Sequence, residues 1–360
     1  MCNNLKKIVI DARSMASAPS GIGMYLYNIL KEIIKFNKFE IILVTDVIES
    51  EEIKYFQNLN IKIISYGIKV SNKLKVFDYF KFIKKELVKI NPDVFWEPNF
   101  IIPIKLKFNG KIIITIHDIF PVTHPSCYDW KYIIYFKFFL KRTIKIADHI
   151  LYDSLTTKKA VEKWKPEVKK KKNDITYVII NYEDEKLKNI DKKYFIYIGT
   201  LEKRKGIDLL IEAYNLYRKN GGKNKLYIIG KLKEKEIETK LNQTEGIKYF
   251  GYINKKDKNK LLSQCSCFVF PSRAEGFGMP IIETMYYNKP IIASNLEIFK
   301  ELVGNCINYF KLSKDNMASS ISLAKKMESY KVCDNKKYRE VIEKYSTKNL
   351  INKIIKILEM

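Results

Sequence analysis

Short apolar runs alternate with longer stretches in which apolar residues recur at helical spacing, and the pattern continues along the chain. Residues 7–12, 40–45, 61–65, 93–96, 111–116, 149–152 and 175–180 read as strands. Between them, 21–35 reads as a helix with Ile22, Leu26, Ile29, Leu30 and Ile33 on one face. Residues 73–90 and 128–146 read as helices that mix apolar and lysine positions. The alternation restarts with strands at 194–198, 225–229, 248–250, 267–270 and 290–293. Helices fall between them at 206–217, 233–241, 255–264 and 280–287, and the tail reads as helical to Met360.

Alternation of this kind predicts a parallel α/β architecture. At ~150 residues per domain, a chain of 360 residues predicts two domains. The lysine run at 169–172 and the acidic turn Glu183-Asp184-Glu185 cannot be core, which puts a linker near 182–192. The expected division is a first domain at 1–185 and a second at 186–360. Two doubly wound Rossmann-like domains facing each other would leave a cleft where the carboxyl ends of both sheets meet.

With 46% hydrophobic and 13% aromatic residues the chain can bury two cores, which excludes disorder. Every apolar run is interrupted, as at Lys137, short of the ~18 residues a spanning helix needs. The start, Met1 to Lys7, is polar and carries no secretory pattern, so a soluble, cytoplasmic protein is expected. The net charge is +26, yet only six of the 66 cations are Arg. Base reading favours the arginine fork, so specific nucleic-acid recognition is not expected. The lysine excess fits a compositional bias of the source or attraction to anionic lipid or polyphosphate. The six cysteines, Cys2, Cys127, Cys265, Cys267, Cys306 and Cys333, lack the paired spacing of a zinc site and read as reduced thiols.

Four loops carry candidate chemistry. Ala18-Pro19-Ser20-Gly21-Ile22-Gly23 opens a helix after the first strand, and Gly21 and Gly23 fit either an anion cradle or a tight βα turn. Thr115-Ile116-His117-Asp118 ends an apolar strand in two polar groups, where open α/β sheets place ligands. His124 and His149 lack that setting and read as structural. Gly199-Thr200-Leu201-Glu202-Lys203-Arg204-Lys205-Gly206 clusters cations at a helix start, against the macrodipole, and a diphosphate partner would resolve that conflict. In Phe270 to Glu283, two glycines, Gly276 and Gly278, flank Phe277, and a helix opens with Pro280 as its first residue. Glu275 in that loop and Glu283 one turn into the helix could grip hydroxyls at opposite ends of one molecule, with phosphate at the helix start between them.

Glu275-x7-Glu283 within EGFGMPIIE, preceded by GTLEKRKG, resembles the retaining glycosyltransferases of family 4, which have the GT-B fold. The SGIG loop and the IHDIFP segment are similar as well, so the likeness runs in order from about residue 8 to 300. The resemblance implies that Glu283 binds the nucleotide ribose and Glu275 the transferred sugar. By the same resemblance the amides of Phe277, Gly278 and Met279 meet sugar hydroxyls and phosphate. Arg204 and Lys205 match the pyrophosphate-binding cations, and His117 the active-site histidine. Many members carry Arg where this chain has Thr200, and Arg204 beside Lys205 supplies that charge here.

The expectation is a retaining hexosyltransferase of cell-surface polysaccharide synthesis. It would use a nucleotide sugar as co-substrate, GDP-mannose ahead of UDP-hexoses because the pattern resembles mannosyltransferase-type members. No Asp-x-Asp is present, so no metal and no other cofactor is expected. The acceptor would be a glycan or lipid-linked oligosaccharide. Residues 73–90 and 128–146 would dock on an anionic membrane surface from the cytoplasmic side, or pack as core with a solvated lysine face. The rival readings are a sugar-nucleotide epimerase or phosphorylase of the same fold, a non-catalytic polyanion-binding protein, and a catalytically silent subunit of a glycan-synthesis complex.

Overall fold

A computed structural model describes residues 5–17, 21–70, 73–180, 190–332 and 334–360. The chain divides into two units. Unit 1, Met1–Asn181 with Tyr345–Met360, is built from β1 (Lys6–Asp11), α1 (Gly21–Ile33), β2 (Phe39–Thr45), α2 (Glu51–Asn58), β3 (Lys62–Ser65) and α3 (Lys73–Ile90). It continues with β4 (Val94–Glu97), β5 (Lys111–Ile116), α4 (Phe120–Thr123), α5 (Trp130–Ile146), β6 (His149–Tyr152), α6 (Leu155–Trp164) and β7 (Lys172–Ile175). The seven strands are parallel and ordered β3-β2-β1-β4-β5-β6-β7. Strands rich in Ile and Val are covered by helices, as a parallel sheet requires. Val9, Ile42, Val44 and Phe95 pack with Tyr79, Phe80, Ile83 and Leu87 of α3. Ile112, Ile114, Ile116 and Ile150 pack with Phe136, Leu140 and Ile144 of α5.

Unit 2, Tyr182–Lys344, repeats the plan. Its elements are β8 (Tyr194–Ile198), α7 (Ile207–Lys219), β9 (Lys225–Ile229), α8 (Lys235–Gln243), β10 (Ile247–Tyr249), α9 (Lys255–Gln264) and β11 (Cys267–Phe270). They are followed by α10 (Met279–Tyr286), β12 (Ile291–Ser294), α11 (Glu297–Val303), β13 (Asn308–Phe310), α12 (Asn316–Glu328) and α13 (Asn335–Lys344). Its six parallel strands run β10-β9-β8-β11-β12-β13, the doubly wound order in which succession reverses between the first and fourth strands.

The expected extent of the second domain, 186–360, is corrected by the final helix, α14 (Thr347–Glu359), which belongs to unit 1. Its apolar face buries Ile351, Ile354, Ile355 and Leu358. Polar contacts tie its middle and its last residue to unit 1: Lys353 pairs with Asp174 at 2.9 Å and Glu359 with Lys38 at 2.6 Å. The expected boundary at 185/186 and most of the linker at 182–192 lie outside the described residues, as do Ala18, Pro19, Ser20, Cys2 and Cys333. The strand expected at 175–180 ends at Ile175. Beyond it the apolar run is buried off the sheet, with Asn28 donating to the Ile179 carbonyl and Ile180 N–H to that of Tyr345. Pro280 is the second residue of α10, after Met279, and not the first.

Candidate active site

In unit 2 the strand order reverses between β8 and β11, so the loops leaving those strands frame the crevice where such sheets bind ligands. The two loops are stitched backbone to backbone. Gly206 has φ +69°, and a Cβ there would lie 2.0 Å from the Pro271 carbonyl oxygen, so only glycine permits this approach. The Arg273 N–H donates to the Arg204 carbonyl at 2.9 Å, and Arg204 Nη1 donates to the Ala274 carbonyl at 2.9 Å. Arg273 grips Asp208 with both Nη groups at 2.7 and 2.8 Å and also donates to the Lys203 carbonyl.

The expected cations and carboxylates come together on this frame. Lys205 Nζ lies 2.6 and 2.7 Å from the two Glu275 carboxylate oxygens, and Ser272 Oγ donates to Oε1 at 2.6 Å. Glu275 is only 7% exposed. Glu202 receives Arg204 at 2.6 Å and Lys233 at 2.8 Å. Burial pushes the Glu202 carboxyl up, but Lys233 and Arg204 outweigh it and hold it below the usual range. Behind them the buried Tyr197 phenol is pushed well up by its enclosure and by Glu275 and Glu202, and it donates to the Thr200 carbonyl. Gly278 caps α10 with φ +109°, with Gly276 and the buried Phe277 just before it. Glu283, in the second turn of α10, accepts from Lys258 Nζ of α9 at 2.8 Å. Lys258 and Gly230 stand outside the four loops singled out in the sequence, while Glu202 and Ser272 lie within two of them with no role assigned there; Gly230 brings the loop after β9 against the Gly199 carbonyl.

Unit 1 holds the remaining candidates. His117 sits at the end of β5 with Nδ1 3.2 Å from Asp153 Oδ2 and Nε2 3.0 Å from the Pro98 carbonyl, its ring edge-on to Tyr25. Gly21 and Gly23 open α1, and a Cβ on Gly23 would lie 2.2 Å from the Ser14 carbonyl. That contact accounts for Gly23 by packing alone. His149 is buried in β6 against Asp174 at 3.0 Å. The sequence reading passes over a further polar group at the point where the order of this sheet reverses, between β1 and β4. Ile10 pairs with Trp96, so Asp11 and Glu97 follow side by side, 2% and 0% exposed. Asp11 Oδ1 accepts the Arg13 N–H and the Tyr79 hydroxyl, both at 2.9 Å. Glu97 Oε1 accepts the Asn99 N–H at 2.9 Å, and burial, then Asp11 beside it, push the Glu97 carboxyl well up, so that it can donate to Asp11. The signal that singled out His117, a charged residue ending an apolar strand, marks both acids too.

Residues 178–349 match the family model of the glycosyl transferases group 1. The O-antigen chain mannosyltransferase RfbU of Salmonella typhimurium is 28% identical over 219 residues, covering 60% of this chain and 60% of that protein. The O-antigen chain mannosyltransferase B of Escherichia coli is 36% identical over 118 residues, 31% of each chain. This chain therefore spans less than two thirds of the length of the curated relatives it matches. Among solved structures, sucrose-phosphate synthase from Thermosynechococcus elongatus superposes with a TM-score of 0.75 at 14% identity, over 98% of both chains. Anabaena HepE in complex with UDP and glucose gives a TM-score of 0.73 at 14% identity, over 98% of this chain and 99% of that one. Both sheets and this whole-chain likeness make the fold GT-B, and the match to the glycosyl transferases group 1 lies over the segment 178–349.

Proposed function

We propose that this protein is a retaining hexosyltransferase, moving mannose from a nucleotide sugar to a glycan or lipid-linked acceptor in cell-surface polysaccharide synthesis. The observation that carries this reading is the unit 2 constellation at the sheet's switch point, in which Lys205 faces Glu275 across two interlocked loops and Lys258 of α9 faces Glu283 of α10. Glu283 has one carboxylate oxygen on Lys258, and the other serves a ribose hydroxyl. Glu275 takes the sugar. When the anomeric bond breaks, negative charge collects on the diphosphate, and Lys205, the fixed charge of Arg204 and the amides opening α10 stabilise it without a metal ion. The leaving phosphate then takes the proton of the acceptor hydroxyl on the same face. Relatives named as mannosyltransferases favour mannose.

An anionic membrane surface completes the proposal. On α5, Trp130, Ile134 and Phe138 recur every fourth residue and are 63%, 60% and 57% exposed. Beside them a cavity of about 610 Å³ is lined by Lys141, Arg142, Lys145, Lys165 and Lys171 among others. Apolar side chains with flanking lysines suit a headgroup boundary. No helix among the described residues is long and apolar enough to cross a membrane.

A thermal-shift panel of nucleotide sugars tests the donor half. A ligand at 100 times its dissociation constant stabilises by about 2.7 kcal/mol, and GDP-mannose should give the largest shift. Release of nucleoside diphosphate that depends on an acceptor separates a transferase from an epimerase. No response to any nucleotide sugar would overturn the reading.

A further inference from the structure

Arg13 adjoins the polar cluster at the switch point of unit 1 and is only partly buried. The Arg13 guanidinium lies over the Tyr79 ring at 4.9 Å and near that of Phe80 at 6.0 Å. Among the described residues it forms no ion pair and donates no hydrogen bond, although its backbone N–H is fixed on Asp11. An arginine held by ring contacts keeps its fork of donors for a ligand. Tyr128, just before α5, and Tyr132 and Tyr135 in its first two turns form a row of near-parallel rings. Their centroids are 5.8 and 6.3 Å apart, both pairs at 26°. Tyr135 also roofs the core, 4.5 Å from the Phe139 ring, whereas Tyr132 is 36% exposed.

Tyr135 packs against the core that contains Tyr79 and Phe80, the two rings beneath the Arg13 guanidinium. Burial raises the Tyr132 phenol, and Asp118, the neighbour of His117, adds to the rise. A row of rings with a phenol hydroxyl on each, ending in an arginine fork and a carboxylate, pairs apolar surface with polar ends. A pyranose has the same mixture, with C–H faces that complement the negative face of an aromatic ring and a rim of hydroxyls. We propose that Tyr128, Tyr132 and Tyr135, bounded by Arg13 and Asp118, form the platform on which a saccharide acceptor lies. The inference rests on the transferase reading above and names the acceptor side of it. The exposed Trp130, Ile134 and Phe138 of the same helix are left for the lipid surface.

Saturation-transfer NMR on the full chain tests it, with the methyl α-glycosides of mannose, glucose and galactose as probes. At least one should receive saturation on its ring C–H protons, undiminished by saturating GDP or UDP. Tyr132→Ala should weaken that glycoside about 10-fold, the order expected for losing an aromatic contact. Tyr132→Phe should retain most of the binding and Arg13→Lys should weaken it, because one ammonium cannot reproduce the fork. Unaltered transfer in both Tyr132→Ala and Arg13→Lys, each with an intact melting transition, would overturn the platform, as would no transfer to any probe. A positive nucleotide-sugar shift alongside either result would leave the donor half standing, so the two readings fail separately.

Discussion

Glu283 and Glu275 have different surroundings, and their loss should be felt differently. Glu283 is 28% exposed and, among the described residues, pairs with Lys258, so Glu283→Ala should weaken nucleotide binding by roughly 1.5–3 kcal/mol, read by calorimetric titration. Glu275 is covered by Lys205 and Ser272, so Glu275→Ala should lower kcat more than donor affinity in a steady-state assay. Glu97 sets a pH dependence of stability. Its folded carboxyl titrates well above the ordinary 4.5 because it is buried beside Asp11, so the native state holds a proton that the unfolded chain releases. The stabilisation is complete below about pH 4.5 and is lost as pH climbs toward the folded value. Glu97→Gln keeps a donor for Asp11 and removes the titration, so its melting temperature should exceed that of the parent at pH 8 and match it at pH 4. An equal offset at both pH values would refute the linkage.

At the scale of elements, α14 is the sharpest case. Ile354, fully buried on its inner face, should cost about 2–5 kcal/mol when changed to Ala. Hydrogen exchange should quicken in β1 and β2 and leave β8 and β11 unchanged, because the helix packs in unit 1. That α14 is a helix was legible from its apolar spacing, but its destination was not, since either domain could cover an apolar stripe. Strands such as β5 and β8 were legible because uninterrupted β-branched and aromatic runs fit only a doubly covered sheet. The helices α2 and α6 were not, because α2 buries only Ile53 and Phe56, and α6 only Thr157 and Val161. The interlocked loops were readable as residue types, glycines with charges at strand ends. Lys258 was not, because it stands among Lys255, Lys256 and Lys260, and only the packing of α9 aims one of them at Glu283.

For the whole molecule, the +26 charge is carried almost entirely by lysine, and Lys141, Lys145, Lys165 and Lys171, with Arg142 and Glu167, line the cavity beside the end of α5. Near an anionic leaflet each lysine contributes about 1 kcal/mol, and salt screens the attraction within roughly 8 Å at physiological ionic strength. Co-sedimentation should therefore show binding to vesicles containing phosphatidylserine at low salt, reduced at high salt and weak to neutral vesicles throughout. Phe138→Ser with Trp130→Ser should reduce the salt-resistant part, and Lys141→Gln with Lys145→Gln the salt-sensitive part. Equal binding to neutral and anionic vesicles would count against an electrostatic component.

Because Tyr345–Met360 returns to the unit that holds the first strand, unit 2 is an insertion within unit 1, joined to it at both of its own ends. A pulling force applied at the two chain termini would run through β1 and α14 and would not load unit 2 while unit 1 stayed folded. Optical-tweezer extension should therefore show two rips in a fixed order, the host first and the insert second. A saturating donor ligand should raise the force of the second rip alone.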